Sequence, residues 1–257
     1  MIATSNNMKQ MGNNEAPIIE VNNVFKTFGK TNSILKGVSF IVNKGESLVV
    51  LGKSGSGKSV LIKCMVALVQ ADAGEIKLFG KDVLKMTTKA LNEIRIKTGF
   101  LFQNAALYDS MSVKENLSFP LVRQQKKITN NELNTAIAES LQQVGLADAI
   151  YKMPAELSGG MRKRIGLARS IILNPEIILY DEPTTGLDTI TSKEISELII
   201  HIQKRYNTTS IIITHDMACA KLTGNRIIIL KDGVIHAGGT YSELENSTDE
   251  WVRSFFI

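Results

Sequence analysis

Residues 52–59 are Gly52-Lys53-Ser54-Gly55-Ser56-Gly57-Lys58-Ser59, and this stretch decides the fold. It lies between the apolar run Ser47–Leu51 and a second apolar run at residues 60–62, which is the order strand, phosphate loop and helix. Glycines let successive backbone N–H groups point into one concavity, and the helix that follows adds its positive end. Lys58 brings a positive charge to the outer phosphates, and Ser59 offers a hydroxyl to Mg²⁺. The stretch therefore predicts a nucleotide-binding P-loop, whose contacts we assign to Gly52, Ser54, Gly55, Gly57, Lys58, Ser59 and Val60.

The composition is that of a protein with an ordinary hydrophobic core. The chain has 257 residues, of which 44% are hydrophobic, enough for one large or two small domains. A formal net charge of +5 suits nucleic acid, an anionic membrane surface or an acidic partner, but Lys and Arg are dispersed along the chain. We therefore expect no nucleic-acid partner. Cys64 and Cys219 have no disulfide or zinc spacing, so we expect buried thiols in a reducing compartment.

The two ends of the chain differ in character. Residues 1–17 are polar and rich in Asn, which predicts a flexible lead rather than a targeting sequence. Residues 18–257 predict a single domain. No run of about 18 apolar residues occurs, so we expect no insertion of the chain into a membrane.

The first part of this domain has the pattern of a β-structure. Short apolar runs at residues 18–24, 38–42 and 47–51 are separated by turns that contain glycine. They predict an antiparallel sheet with one face in water. Residues 75–79 and 98–102 predict further strands.

The pattern becomes helical after residue 104. Thr129 and Glu132 form a capping-box signature for the start of a helix, and Gly145 is a stop signal for the end of the same helix. The apolar residues between them fall on one helical stripe, Leu133, Ile137, Leu141 and Val144. We predict a helical subdomain at residues 104–165.

The remainder alternates strands with helices. Apolar runs at residues 176–180 and 210–214 bracket a helix that we predict to be capped by Thr191 with Glu194. The buried stripe of that helix is Ile195, Leu198, Ile199 and Ile202. Strands buried on both faces and alternating with helices predict a parallel α/β sheet. Residues 227–236 predict a terminal hairpin around an Asp-Gly turn.

Two carboxylates follow the apolar run at residues 177–180. A P-loop needs a second carboxylate for Mg²⁺ at the end of a neighbouring strand, and Asp181 fits that position. Glu182 comes next and is placed to act as the general base for water. Pro183 fixes the turn that follows. The alternative is an acidic pair that merely caps the next helix.

A second turn of small residues opens a helix at Leu157-Ser158-Gly159-Gly160-Met161. It completes a set of motifs in a fixed order: the P-loop, Gln103 at a strand end, this turn, Asp181 with Glu182, Gly186-Leu187-Asp188, and His215 after an apolar run. With these motifs in this order, the chain resembles the ATP-binding cassette (ABC) ATPases from about Ile18 to its end.

The resemblance implies a fold and an assembly. The fold is an α/β P-loop NTPase with a RecA-like core sheet, an antiparallel β subdomain and an α-helical subdomain. In this family two subunits pack head to tail, so ATP and Mg²⁺ lie between the P-loop of one subunit and the turn of the other. The resemblance therefore implies a homodimer in which Ser158, Gly159 and Gly160 contact the γ-phosphate in trans.

Further roles come from the resemblance alone. It implies that Gln103 senses the γ-phosphate, Mg²⁺ or water and couples to the helical subdomain, and that Asp188 connects the two sites. His215 would contact the γ-phosphate, and Phe28 would stack on adenine in place of the more usual tyrosine. Magnesium would be held by Ser59, Gln103 and Asp181. The catalytic group would be Glu182, His215, Lys58 and Gln103.

Three segments resemble one subfamily more closely, the Mla/Mce-type lipid transport ATPases: residues 102–113, 157–164 and 251–256. The sharpest marker is Met161, where many other cassettes have glutamine. This resemblance implies a peripheral subunit at the cytoplasmic face of the inner membrane, with a permease and an Mce-domain lipid-binding protein as partners. The cargo would be phospholipid. Departures from the family pattern at Val60, Thr189 and Asn225 remove no catalytic group.

Other hypotheses stay open at this point. A cassette for an amino acid, a metal or a drug is the nearest alternative. A soluble cassette protein in DNA repair or translation usually carries two cassettes or long insertions, and none is evident here. A regulatory module without hydrolysis would be expected to lack Lys58, Glu182 or His215, and all three are present.

Overall fold

The structure is a computed structural model that describes residues 16–124 and 127–256. Most of the predicted flexible lead, up to residue 15, lies outside the described residues. The strands are β1 (Ile19–Phe28), β2 (Asn32–Val42), β3 (Ser47–Leu51), β4 (Ala73–Leu78), β5 (Lys81–Asp82), β6 (Thr98–Leu101), β7 (Ile177–Asp181), β8 (Thr209–Ile213), β9 (Arg226–Lys231) and β10 (Val234–Gly239).

The α-helices are α1 (Lys58–Met65), α2 (Thr88–Ile96), α3 (Val113–Gln124), α4 (Asn130–Gln143), α5 (Gly159–Ile171), α6 (Thr189–Tyr206), α7 (Met217–Thr223), α8 (Tyr241–Glu245) and α9 (Glu250–Arg253). Short 3-10 helices occur at Val83–Lys85, Ala147–Ala149 and Pro154–Glu156. Across the described ranges, none of the helices has both the length and the apolar character needed to span a bilayer.

A six-stranded sheet forms the centre of the molecule, in the order β10-β9-β3-β8-β7-β6. Strands β9, β3, β8, β7 and β6 are parallel, and β10 pairs antiparallel with β9. All five residues of β3 are buried, and alternate ones point to opposite faces: Leu48 and Val50 join one core cluster, whereas Val49 and Leu51 join the other. A sheet covered on both faces has these continuous apolar strands, so the predicted parallel α/β sheet is confirmed.

A second, antiparallel sheet has the order β2-β1-β4-β5. The prediction that placed residues 47–51 in this sheet is wrong, because β3 pairs in parallel with β8 and β9. The burial pattern gives the reason. Strands β1 and β2 contain exposed residues at intervals, as a half-solvated sheet requires, whereas β3 has none.

The predicted helical region contains α3, α4 and the start of α5. Thr129 caps α4 as predicted, since its hydroxyl accepts from the Glu132 N–H at 3.3 Å and the Glu132 carboxylate accepts from the Thr129 N–H at 2.8 Å. Gly145 follows the helix with a φ of 68°, the left-handed conformation expected of a stop residue. Helix α5 continues past residue 165 to Ile171, so the predicted subdomain limit falls inside a helix.

The start of α6 differs from the prediction. The cap is Asp188, whose Oδ1 accepts from the N–H groups of Ile190 and Thr191 at 3.0 Å each, so the helix begins at Thr189. The predicted cap at Thr191 is therefore wrong. An aspartate carboxylate accepts two N–H groups where a threonine hydroxyl usually accepts one, and it captures the Thr191 hydroxyl as well, at 2.6 Å.

The other predicted strands agree with the structure to within two residues for β4, β6, β7 and β8. The terminal hairpin is confirmed as β9 and β10. Its turn residues Asp232 and Gly233 both have positive φ, 49° and 85°, which suits a tight hairpin turn.

Candidate functional site

The candidate site lies where parallel strands end together. The P-loop follows β3, Gln103 follows β6, Glu182 follows β7, and His215 follows β8. Carboxyl ends of parallel strands meet at one edge of the sheet, where ligands bind in open α/β folds. A cleft at this edge is lined by Ile34, Ser54, Gly55, Gly57, Lys58, Ser59, Val60, Gln103, Glu182 and His215. We call it the P-loop cleft. All of these residues except Ile34 were predicted from the sequence.

Lys58 folds back over its own loop. Its ammonium donates to the carbonyl oxygens of Gly52 at 2.8 Å and Lys53 at 3.3 Å, and lies 3.8 Å from Glu182 Oε1. Burial lowers the pKa of Lys58, while the charges of Glu182 and Asp181 oppose that shift. The sharp entry into α1 depends on Gly57, whose φ of 102° favours glycine. The charge is thus held at the mouth of the loop, where phosphate oxygens would lie.

Ser59 and Asp181 form the predicted magnesium pair. The Ser59 hydroxyl donates to Asp181 Oδ1 at 2.7 Å, and Asp181 is only 3% exposed. Burial raises the pKa of Asp181, and the hydrogen bond from Ser59 opposes that shift. No group of three or more His, Cys, Asp or Glu that could hold a metal occurs in the described ranges. A hydroxyl with one carboxylate nevertheless fits Mg²⁺, which takes its other ligands from water and phosphate.

Glu182 has an uncommon backbone conformation. Its φ is 51°, in the left-handed region that costs a non-glycine residue about 1 kcal/mol or more. Its N–H donates to the Ile213 carbonyl at 2.9 Å, and its Oε2 accepts from the Thr185 hydroxyl at 3.0 Å. The same oxygen lies 2.7 Å from His215 Nδ1. These contacts aim the carboxylate into the P-loop cleft.

Lys163 was missed by the sequence analysis. It lies in α5, is 5% exposed, and donates through Nζ to the carbonyl oxygens of Gln103 at 2.6 Å and Glu182 at 2.8 Å. Burial lowers its pKa to about 8. The signal in the sequence was a lysine on the apolar face of a helix, three and four residues before the buried Gly166 and Leu167.

The turn at Ser158–Gly160 lies in a different place. Ser158 caps α5, its hydroxyl accepting from the Met161 N–H at 3.3 Å. It lines a second cleft with Gly159, Gly160, Met161, Arg164, Gly186, Leu187, Asp188, Thr191 and Glu194. We call this the signature cleft. As described by the structure, the two clefts have no lining residue in common. The chain therefore does not bring Ser158–Gly160 or Asp188 to its own P-loop.

Asp188 and Phe28 have local roles in the structure. Asp188 caps α6, and its hydrogen bond from Thr191 lowers the pKa of its carboxyl. Phe28 ends β1 with 43% of its surface exposed, and the Lys26 ammonium lies 5.2 Å from its ring centroid. The exposed ring does not line the P-loop cleft. The roles expected of Asp188 and Phe28 toward ATP stay predictions.

A groove separates the core sheet from the helical region. Two aromatic pairs lie along it, Phe100 with Phe102 at 4.2 Å between ring centroids and Tyr108 with Phe119 at 5.2 Å. Arg169 also lines it, and its guanidinium donates to the Ala105 carbonyl at 2.8 Å. The groove therefore combines partly exposed aromatic surface with a positive charge.

Comparison with known proteins gives one family and several relatives. The family model described as ABC transporter matches residues 35–185. "Probable ribonucleotide transport ATP-binding protein mkl" of Mycobacterium tuberculosis is 39% identical over 237 residues, covering 92% of this chain and 66% of the relative. The chain thus spans just under two thirds of that relative's length.

Two other relatives have different names. "Protein TRIGALACTOSYLDIACYLGLYCEROL 3, chloroplastic" of Arabidopsis thaliana is 37% identical over 260 residues, covering 95% of this chain and 74% of the relative. "Methionine import ATP-binding protein MetN" of Clostridium acetobutylicum is 37% identical over 227 residues, covering 88% of this chain and 70% of the relative. Among solved structures, the dimeric ATP-binding cassette MJ0796 bound to ADP and Pi superposes with a TM-score of 0.80 and 31% identity, covering 86% of this chain and 98% of that one.

Proposed function

Because the chain belongs to the ABC transporter family and has the fold of its ATP-hydrolysing cassettes, we propose that it is the ATPase subunit of a membrane transporter. The observation that carries the proposal is the convergence of Lys58, Glu182 and His215 in one cleft beside the Ser59–Asp181 pair. These are the groups that binding a triphosphate and activating a water require.

Each group has a distinct part in the proposed hydrolysis. The N–H groups of the P-loop and the Lys58 ammonium bind the phosphates of ATP. Ser59 and Asp181, with Gln103 near them, would hold Mg²⁺, which when bound neutralises phosphate charge. Glu182 accepts a proton from the attacking water, whose oxygen bonds to the γ-phosphorus while the bond to the β-phosphate oxygen breaks. His215 orients the carboxylate through its 2.7 Å contact.

The signature cleft supports a dimer. It contains the start of α5, where the first N–H groups of a helix have no carbonyl partner within the helix, and it lies apart from the chain's own P-loop cleft. Its proposed ligand is therefore the ATP of a second copy. Shifting a dimer from 1:99 to 99:1 closed needs about 5.5 kcal/mol, or roughly 2.8 kcal/mol per site. One or two charge-assisted hydrogen bonds, at about 1.5–3 kcal/mol each, supply that amount. Hydrolysis and phosphate release remove them and reopen the dimer.

The groove between the core and the helical region supports a permease partner. Its aromatic pairs offer a surface on which a short amphipathic helix from a membrane subunit would pack. One wall of the groove is β6, and Gln103 of the P-loop cleft lies two residues after the end of that strand. A displacement of the groove by a bound permease helix would therefore shift Gln103 in the P-loop cleft.

For the cargo we propose phospholipid, with an Mce-domain lipid-binding protein as a further partner and the cytoplasmic face of the inner membrane as location. The support is the subfamily likeness marked by Met161 and the Arabidopsis relative, whose name includes a galactolipid. A cassette for methionine or another amino acid is the second candidate, favoured by the likeness to MetN. Cargo-lining residues would belong to the permease.

The ATPase part is tested by nucleotide binding and phosphate release. Lys58→Ala is expected to abolish both, since it removes the charge that faces the phosphates, whereas Lys81→Ala at an exposed position should change neither. Full turnover by Lys58→Ala would contradict the proposed site.

The transporter and cargo parts are tested by affinity purification of the chain from its native membranes and identification of the subunits that co-purify. A permease together with an Mce-domain protein is the expected result. Recovery of an amino-acid-binding protein without an Mce-domain protein would overturn the lipid assignment and leave the ATPase assignment in place.

A further inference from the structure

Helix α5 connects the two clefts. Its cap Ser158 and its first residues Gly159 and Gly160 line the signature cleft. Lys163, on the following turn, donates to the backbone of two residues that line the P-loop cleft. Arg162 and Arg164, on either side of Lys163, donate to other carbonyls. Lys163 is thus the charged residue of this segment that contacts residues of the P-loop cleft.

The two acceptors of Lys163 are the backbone oxygens of Gln103 and Glu182. These residues follow the neighbouring strands β6 and β7, and both line the P-loop cleft. A single ammonium therefore joins the ends of two strands to the helix that carries the signature turn. Because the contacts are to backbone, they act on the position of the whole residue and not on its side chain alone.

The burial of this charge is costly. In the described ranges no carboxylate oxygen lies within 4.0 Å of the Lys163 ammonium, which is stabilised by two carbonyl oxygens and by the more distant charges of Glu182 and Asp181. A buried ammonium without a carboxylate partner loses much of its hydration, and an apolar side chain of similar length would avoid that cost. The position therefore carries its ammonium at a cost in stability, and this cost is the reason to look for a role beyond packing.

Glu182 is the residue on which this contact acts most directly. Its left-handed backbone, with φ 51°, is sparsely populated and must be held by its surroundings. The N–H is held by Ile213 and the carbonyl by Lys163. A small displacement of α5 would change the carbonyl contact and with it the aim of the carboxylate.

We propose that Lys163 is a positioning residue that transmits occupancy of the signature cleft to Gln103 and Glu182 of the same chain. This inference rests on the proposed dimer, in which the signature cleft of one subunit receives the ATP of the other. ATP bound in the signature cleft of a subunit then fixes the positions of the catalytic residues in that subunit's own P-loop cleft. Hydrolysis at the two sites is therefore cooperative.

The test compares Lys163→Met, Lys163→Gln and the exposed control Lys81→Met. Methionine fills most of the space of the aliphatic stem, ends one atom short of Nζ and has no N–H donor. A glutamine amide is equally short but has two N–H groups that can donate to carbonyls. We expect Lys163→Met to lower kcat for ATP about 10- to 100-fold, the cost of misplaced catalytic groups, with KM within about twofold. The Hill coefficient for ATP should fall to about 1 in Lys163→Met, and Lys163→Gln should recover part of the loss.

A second readout does not depend on turnover. In a Glu182→Gln background, ATP with Mg²⁺ should form the dimer equally well with Lys163 or Met at this position. Backbone hydrogen exchange in residues 103–107 and 182–185, outside the signature cleft, should slow on dimer formation only when Lys163 or its glutamine replacement is present.

The outcomes separate the two proposals. Unchanged kcat and Hill coefficient in Lys163→Met, or an equal slowing of exchange, would overturn the role of Lys163. Loss of ATP binding and of thermal stability in both Lys163 variants would also overturn it, because the residue would then serve the fold alone. If the Glu182→Gln parent fails to dimerise with ATP, the proposed dimer is wrong.

Discussion

Replacing Glu182 by glutamine removes the proposed base while keeping its shape. The carboxylate side chain is 11% exposed, 3.8 Å from the Lys58 ammonium and 2.7 Å from His215. The amide oxygen can still accept from the Thr185 hydroxyl, so the turn should keep its conformation. The substitution therefore isolates proton transfer from folding and from nucleotide binding.

The expected loss follows from the role. General-base catalysis contributes about 10²–10⁴-fold, or about 2.7–5.4 kcal/mol of barrier at 1.36 kcal/mol per tenfold. We expect the upper half of that range, about 10³–10⁴-fold in kcat, because the carboxylate is nearly buried and solvent cannot take over its position. A change in unfolding free energy below about 1 kcal/mol would move Tm by less than about 4 °C.

The assay is phosphate release at saturating ATP, with ATP affinity and Tm measured on the same preparations. Glu245→Gln, an exposed position in α8, is the matched control and should behave as the parent. Turnover by Glu182→Gln within tenfold of the parent would refute the assignment of the base. Loss of ATP binding in the same variant would instead show that the carboxylate serves the loop structure.

Three further expectations concern packing. Gly99→Ala should cost about 1–3 kcal/mol and about 2–12 °C in Tm, because its Cβ would overlap the Ser170 carbonyl oxygen, and an unchanged Tm would contradict that close approach. Thr129→Ala should cost about 1 kcal/mol in urea unfolding through loss of the α4 cap, and a neutral result would mean that the cap is redundant. Burial raises the pKa of Cys64 and Cys219 to about 11 from 9.0, so alkylation at pH 9 should be slow in the folded protein and fast in urea. Rapid alkylation of the folded protein would contradict their burial.

Much of the site was predictable because its chemistry is local in the sequence. Each of Asp181, Glu182 and His215 follows an apolar run, and parallel strands bring such ends together without further information. The P-loop is a contiguous segment of eight residues, 52–59, so its conformation can be predicted from the local sequence alone.

What sequence reasoning missed depends on contacts between distant segments. The sheet to which β3 belongs is set by β8 and β9, more than 150 residues away. Lys163 meets Gln103 across 60 residues, and no local pattern reports which carbonyls a buried lysine will reach. At Asp188 the error had another source, since two competing cap residues lay within one turn and the stronger acceptor determined the helix start.

The central claim is that a functional site needs the P-loop of one copy and the signature cleft of another. Sedimentation velocity of Glu182→Gln with and without ATP and Mg²⁺ tests this directly. We predict a monomer without nucleotide and a stable dimer with it. A monomer at saturating ATP, in a variant that demonstrably binds ATP, would contradict the account.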